Sequence, residues 1–230
     1  MWQPREGYRF SIDPLLLLDF LRDSKVGRAC DLGTGCGVLA LGLLCADPDA
    51  RVTAVELQPR LAELARKNAV ENGLSDRAQV IELDLADRKA AKRALPGASF
   101  DLVVSNPPYR PLGEGGTNPD GEEAIARHEL RLTLSAVCAE ARRLLVPGGR
   151  AAIVYPAERL PSLLATLDGA GLRPFRLRLI HGKQKEPARR ALVEARKGHR
   201  GHLTVEPSLV VHDDDGAYTA DARRALGERL

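Results

Sequence analysis

The order in which apolar segments recur constrains this chain more than any single motif. Val26 to Asp31, Arg51 to Glu56, Ala78 to Leu83 and the run from Phe100 to Val104 each read as a short buried strand. Helical patterns follow the first two, over Val38 to Ala46 and Pro59 to Asn72, the latter with Leu61, Leu64, Ala65 and Ala69 on one face. A long helix over Glu122 to Val146 leads, through a sharp stop at Pro147-Gly148-Gly149, into a fifth strand at Arg150 to Tyr155. Strand–helix alternation of this kind predicts an α/β fold with a doubly wound, mostly parallel sheet. After a helix at Leu160 to Ala170 come strands at Arg173 to His181 and Ala191 to Ala195, with no helix between them. Those two must pair antiparallel, which predicts seven strands with one antiparallel strand near the C-terminal edge.

In such sheets ligands bind beyond the carboxyl ends of the strands. Four strands end there in a polar residue: Asp31, Glu56, Asp84 and Asn106. The first leads into Gly33-Thr34-Gly35-Cys36-Gly37 and then an apolar helix. Glycines allow close backbone approach to a ligand, and a helix N-terminus favours an anionic group. The spacing is not G-x-G-x-x-G, and Asp31 would repel a pyrophosphate while attracting an ammonium. That favours an amino-acid-bearing cofactor such as S-adenosylmethionine over a dinucleotide, with Gly33, Gly35 and Gly37 as its cradle. Glu56, about 20 residues beyond the loop, is placed to accept ribose hydroxyls. Asp84 is the candidate for the adenine amino group.

The fourth strand leaves the sheet through Asn106-Pro107-Pro108-Tyr109. Neither proline donates to a ladder and each fixes its own φ, so the exit is stiff. The Asn106 amide and the backbone carbonyls accept hydrogen bonds, and Tyr109 supplies a ring for stacking. Together they suit a planar NH2 group. These four residues are the candidate catalytic set, and Asn106 also belongs to the cofactor side.

The rest of the chain bounds the partner. The net charge of +3 settles nothing, but one segment is biased: Lys183, Lys185, Arg189, Arg190, Arg196, Lys197 and Arg200 stand against Glu186 and Glu194. With Arg127 and His128, which follow the glycine-rich stretch Gly113 to Gly121, the cations Lys183, Lys185, Arg189, Arg190 and Lys197 are candidate RNA contacts. Cys30, Cys36, Cys45 and Cys138 form no C-x-x-C pair and read as free thiols in a reducing, cytoplasmic setting. No metal site is expected, and Leu15 to Leu18 is too short for a signal peptide or membrane span. Asp13-Pro14 reads as an N-cap and first residue of a helix to Arg22. One domain over 1–230 is expected, with 1–24 as an N-terminal cap, 25–200 as core and 201–230 as edge strands and a final helix.

With these residues assembled, the chain resembles the class I S-adenosylmethionine-dependent methyltransferases of the small-domain type. It most resembles the bacterial tRNA1(Val) adenosine-37 N6-methyltransferase family. The likeness rests on Gly7-Tyr8-Arg9-Phe10-Ser11-Ile12-Asp13, the glycine loop, Asn106 to Tyr109, Ala124 to Glu129 and Gly216-Ala217-Tyr218-Thr219. It implies a Rossmann-like methyltransferase fold and transfer of a methyl group to an exocyclic amino nitrogen, adenine N6 in tRNA. The Asn-Pro-Pro-Tyr tetrapeptide also serves glutamine N5 and guanine N2 methylation. A protein glutamine or ribosomal RNA guanine methyltransferase is therefore the alternative.

Overall fold

A computed structural model describes residues 1–4, 10–107 and 133–227. Its sheet has nine strands in the order β3-β2-β1-β4-β5-β7-β6-β8, with β9 beside β6. The strands are β1 (Arg28–Leu32), β2 (Arg51–Glu56), β3 (Ala78–Glu82), β4 (Phe100–Ser105), β5 (Leu145–Pro156), β6 (Leu172–His181), β7 (Ala188–Lys197), β8 (Thr204–Val205) and β9 (Leu209–Val210). The two beyond the expected seven are two-residue strands at the β6 edge. β1 to β5 pair in parallel, and β7 runs antiparallel to both β5 and β6. The single reversed strand therefore lies inside the sheet, between β5 and β6.

Among the described residues seven helices cover the two faces: α1 (Asp13–Phe20), α2 (Val38–Ala46), α3 (Pro59–Glu71), α4 (Arg88–Ala94), α5 (Leu134–Leu144), α6 (Leu160–Gly169) and α7 (Ala220–Ala225). Leu16, Leu17 and Phe20 of α1, Leu39 and Leu43 of α2 and Ala222 of α7 bury one side of the sheet against Ala29, Ala54, Leu102 and Val154. Ala91 of α4, Val137, Ala141 and Leu144 of α5 and Leu163 of α6 bury the other against Cys30, Val55, Val103 and Ile153. Successive side chains of a strand point to opposite faces, which is why both cores draw on the same strands. α1 crosses α2 closely because Gly42 has no side chain; a Cβ there would collide with the Leu18 side chain.

Several boundaries differ from the sequence expectation. Asp13 does not cap α1: Ile12 holds that position, and the Asp13 carboxylate instead accepts from Arg190 Nε at 2.9 Å. α1 stops at Phe20, short of Arg22. β5 begins at Leu145, before Pro147-Gly148-Gly149, because the chain absorbs that turn as an irregularity opposite Phe100 and Leu102. Of the helix expected over 122–146, residues 134–144 are helical and 122–132 lie outside the described residues. α4, capped by Asp87, which accepts from the Lys89 and Ala90 amides, is a helix beyond those the sequence pattern predicts. No helix among the described residues is long and apolar enough to cross a membrane, and all four cysteines are free thiols.

Candidate active site

The parallel register of β1, β2, β3 and β4 brings Asp31, Glu56, Asp84 and Asn106 to one edge. The loop after β1 is built by backbone: Gly33, Gly35 and Gly37 have φ of +76°, +58° and +93°, a region that residues with a Cβ avoid. The Gly33 and Thr34 amides both donate to the Val55 carbonyl at 2.9 Å, and the Gly35 amide donates to Glu56 Oε2 at 2.8 Å. These loop amides therefore face the end of β2 and not outward toward a phosphate. The second Glu56 oxygen accepts from the Gln58 amide at 2.9 Å. Asp84 sits half-buried just past β3, its Oδ1 accepting from the Ala86 amide at 2.8 Å.

Asp31 is fully buried. Its Oδ2 accepts from the Thr34 hydroxyl at 2.6 Å and the Ala40 amide at 3.2 Å. Its Oδ1 is buried and has no hydrogen-bond partner among the described residues. Burial pushes the carboxyl up to about 7, against the two hydrogen bonds, which favour the charged form. The site thus holds an acid short of one donor, close to neutrality in its titration.

Asn106 lines a narrow crevice with Gly33, Thr34, Cys36, Phe10 and Pro14. The end of β4 is held there by Ser105, whose buried hydroxyl donates to the Leu32 carbonyl at 2.7 Å. Pro107 is buried behind it. Pro108, Tyr109, Arg127 and His128, together with Tyr8 and the Gly113 to Gly121 stretch, lie outside the described residues.

Two residues that sequence reasoning passed over support this crevice. Ser105 is one. The other is Asn68 on α3, fully buried, whose Nδ2 donates to the Cys36 carbonyl at 2.9 Å and the Trp2 carbonyl at 2.8 Å. Its Oδ1 accepts from the Trp2 amide at 2.6 Å. One side chain thus holds the glycine loop and the first residues of the chain together. The only signal in the sequence is a polar residue one position before Ala69 on an otherwise apolar helix face.

The basic candidates separate. Lys183, Lys185, Arg189 and Arg190 lie at the β6–β7 turn, on the same edge as Asn106, since Arg190 pairs with Pro156 at the end of β5. Most of them are engaged. Arg190 binds buried Asp13, Arg189 binds Glu186 at 3.1 Å, and Lys183 donates to the Asp214 carbonyl at 3.1 Å. Lys197 is not with them. It pairs with Leu172 at the opposite edge, where its ammonium donates to the Leu145 carbonyl at 2.5 Å.

Residues 11–165 match the model of the methyltransferase small domain. The chain is 33% identical over 219 residues to a tRNA1(Val) (adenine(37)-N6)-methyltransferase of Porphyromonas gingivalis, covering 93% of this chain and 85% of that one. A protein of the same name from Aeromonas hydrophila is 31% identical, over 94% of this chain and 87% of its own length. A release factor glutamine methyltransferase of Deinococcus radiodurans is 39% identical, over 68% of this chain and 55% of that protein. Among solved structures, a predicted O-methyltransferase of Agrobacterium tumefaciens superposes with a TM-score of 0.74 at 26% identity, covering 95% of this chain and 97% of that one. The chain belongs to the methyltransferase small-domain family and is an S-adenosylmethionine-dependent methyltransferase.

Proposed function

We propose that this enzyme methylates the exocyclic amino nitrogen of adenine in tRNA, at the anticodon-loop adenosine 37, as one cytoplasmic domain spanning 1–230. The observation that carries the proposal is the crevice shared by Asn106 and the glycine loop, which sets the amide of the Asn-Pro-Pro-Tyr exit beside the cofactor cradle. The tRNA relatives support the substrate because they align over nearly the whole chain, whereas the glutamine-methylating relative is matched over little more than half its length.

The donor set fits S-adenosylmethionine. The unpartnered Asp31 Oδ1 suits the ammonium of its amino-acid moiety. Glu56 would accept from the ribose hydroxyls, Asp84 would accept from the adenine amino group, and Gly33, Gly35 and Gly37 would let the chain pass close to the ligand. When bound, the cofactor supplies a methyl group made electrophilic by a positive sulfur. The chain's own task is positioning. Adenine N6 is a weak nucleophile because its lone pair is delocalised into the ring. The Asn106 side-chain oxygen and the Pro107 carbonyl accept its two N–H bonds. This favours a pyramidal nitrogen and stabilises the positive charge that grows there. Holding the nitrogen ~3–3.5 Å from the methyl carbon and in line with it would remove much of the entropic barrier. Pro108 stiffens this cup, and Tyr109 stacks on the splayed base, a contact worth ~1–3 kcal/mol. Arg127, His128, Lys183, Lys185, Arg189 and Arg190 contact the RNA around it.

The test is mass spectrometry of nucleosides from tRNA incubated with enzyme and cofactor, alongside a release-factor peptide. N6-methyladenosine should form, and Asn106→Ala should abolish it while cofactor still binds. Methyl groups on the peptide glutamine or on guanine, with none on adenine, would overturn the proposal.

A further inference from the structure

The helix α4 reads Arg-Lys-Ala-Ala-Lys-Arg-Ala. Ala91 and the following Leu95 are buried in the second core. Helical spacing then turns Arg88, Lys89, Lys92 and Arg93 outward, and all four are exposed. Arg88 and Lys92, and Lys89 and Arg93, are like charges four residues apart, an unfavourable arrangement. Lys92 and Arg93 suit the helix C-terminus, but Arg88 and Lys89 in the first turn oppose the dipole. Helix stability therefore does not account for the pattern. Among the described residues none of the four enters an ion pair, in contrast to Arg150, Arg176, Arg178, Arg189 and Arg190, which all do. Asp87 at the head of α4 points to the Lys89 and Ala90 amides.

α4 descends from the cofactor edge toward a cleft of about 590 Å3 at the opposite edge of the sheet, floored by Leu95, Ile81 and Phe100. Arg28 and Arg51 stand at its mouth as direct register partners at the starts of β1 and β2. Like charges side by side across a sheet repel. Arg51 donates to the Asp76 carbonyl at 3.1 Å, and among the described residues neither arginine is ion-paired. Asp101 lies close, but its Oδ2 accepts from the Arg28 backbone amide at 2.9 Å. Asp76 also lines the cleft, yet among the described residues neither it nor Asp101 ion-pairs with the two guanidinium groups, and neighbouring guanidinium groups left unpaired suit a phosphate.

We propose that the exposed face of α4, continued by Arg28 and Arg51, is a second contact surface for the phosphate backbone of the substrate RNA, separate from the β6–β7 turn. The proposal rests on the tRNA reading above. Strands of five or six residues separate the cleft from the edge that carries Asn106, about 17–20 Å at the usual rise. A stem whose loop enters at Asn106 can lay its backbone along α4 and end at the arginine pair.

The test uses full-length chain with two variants. One is Arg88→Gln/Lys89→Gln/Lys92→Gln/Arg93→Gln, and the other is Arg28→Gln/Arg51→Gln. Cofactor affinity by calorimetry reports folding and should stay within about twofold. tRNA affinity measured across a salt series should fall at least about tenfold in each variant. The slope of log affinity on log salt should shrink by ~0.7–0.9 for each phosphate that the variant no longer neutralises. Unchanged affinity and slope in variants that still bind cofactor would overturn the surface. So would micromolar binding of AMP that the Arg28/Arg51 variant abolishes while tRNA affinity stays intact, because the cleft would then be a small-nucleotide site. Wild-type enzyme that methylates a glutamine peptide and ignores tRNA defeats the substrate reading itself. Wild-type methylation of tRNA with an unaltered salt slope in the variants defeats this surface alone.

Discussion

The Ser105 hydroxyl and the Leu32 carbonyl meet at 2.7 Å, fastening the last residue of β4 to the last residue of β1. One bond thus relates the exit strand, which carries Asn106, to the strand that feeds the glycine loop. Ser105→Ala removes the donor and leaves a buried carbonyl short of a partner, at a stability cost of about 1–3 kcal/mol. Asn106 is then free to drift by a fraction of an ångström. The expected result is a fall in kcat/KM of about tenfold or more, with cofactor affinity nearly unchanged. Denaturant melts and steady-state kinetics check both parts, and unaltered kinetics at reduced stability would remove Ser105 from the positioning of Asn106.

If Asp31 holds the cofactor ammonium as proposed, cofactor binding should depend on pH. Its carboxyl titrates near 3.8 when unfolded and is pushed up to about 7 by burial in the folded chain. Between those values the folded state holds a proton that the unfolded state has lost. Stability of the ligand-free protein therefore declines as pH rises through that window, by an amount on the order of a few kcal/mol. Asp31→Asn should flatten this slope in thermal melts compared with wild type. An ammonium against Oδ1 favours the carboxylate, so cofactor binding at pH 6 should release a proton and affinity should tighten toward pH 8. Calorimetry in two buffers of different ionisation enthalpy counts that proton; no release at pH 6 would separate Asp31 from the ligand.

Asn68 links the glycine loop to Trp2. Asn68→Ala leaves the Cys36 and Trp2 carbonyls and the Trp2 amide without their side-chain partner. Cofactor affinity should weaken about tenfold, as the loop loses its only side-chain tether among the described residues to α3, and stability should drop by about 2–3 kcal/mol. Isothermal titration and melting curves measure the two effects. A purely structural role would show as a lower melting point with unchanged affinity.

Glu194 is the buried acid of β7, 1% exposed and flanked by Arg150 at 2.7 Å and Arg176 at 2.9 Å. Glu194→Ala strips two partly buried guanidinium groups of their shared partner. A loss of about 3–5 kcal/mol is expected, read as a lower denaturant midpoint. Because the triad is built from β5, β7 and β6, to one side of the strands that carry the crevice, whatever folded fraction remains should keep its cofactor affinity.

Local pattern carried much of this architecture into view. β2 and α2 fall on the residues that periodicity marks, and the polar strand ends Asp31, Glu56, Asp84 and Asn106 share an edge because parallel topology leaves no other place for them. Long-range pairings were not legible. Asp13 has the spacing of a helix cap, yet it is drawn to Arg190, 177 residues later, by burial and opposite charge. Asn68 is a single polar residue on the apolar face of its helix and Ser105 ends an apolar strand, and only the folded neighbours show what each one satisfies. The α4 cations are only four in number and follow directly on Asp84 and Asp87, so the run looks balanced until the helix sorts its basic residues onto one face.

The order β5-β7-β6 has a consequence for synthesis. As the nascent chain leaves the ribosome, β5 stands with a bare, apolar edge until residue 197 has emerged, because its neighbour is the later strand β7 and not β6. Unpaired edges of this kind invite pairing between molecules. β6 and β7 close on each other through the turn at 182–187, so they can form a hairpin first and dock as a ready-made pair. The hairpin that brings the basic turn to the edge carrying Asn106 is then also the piece that seals the sheet against aggregation.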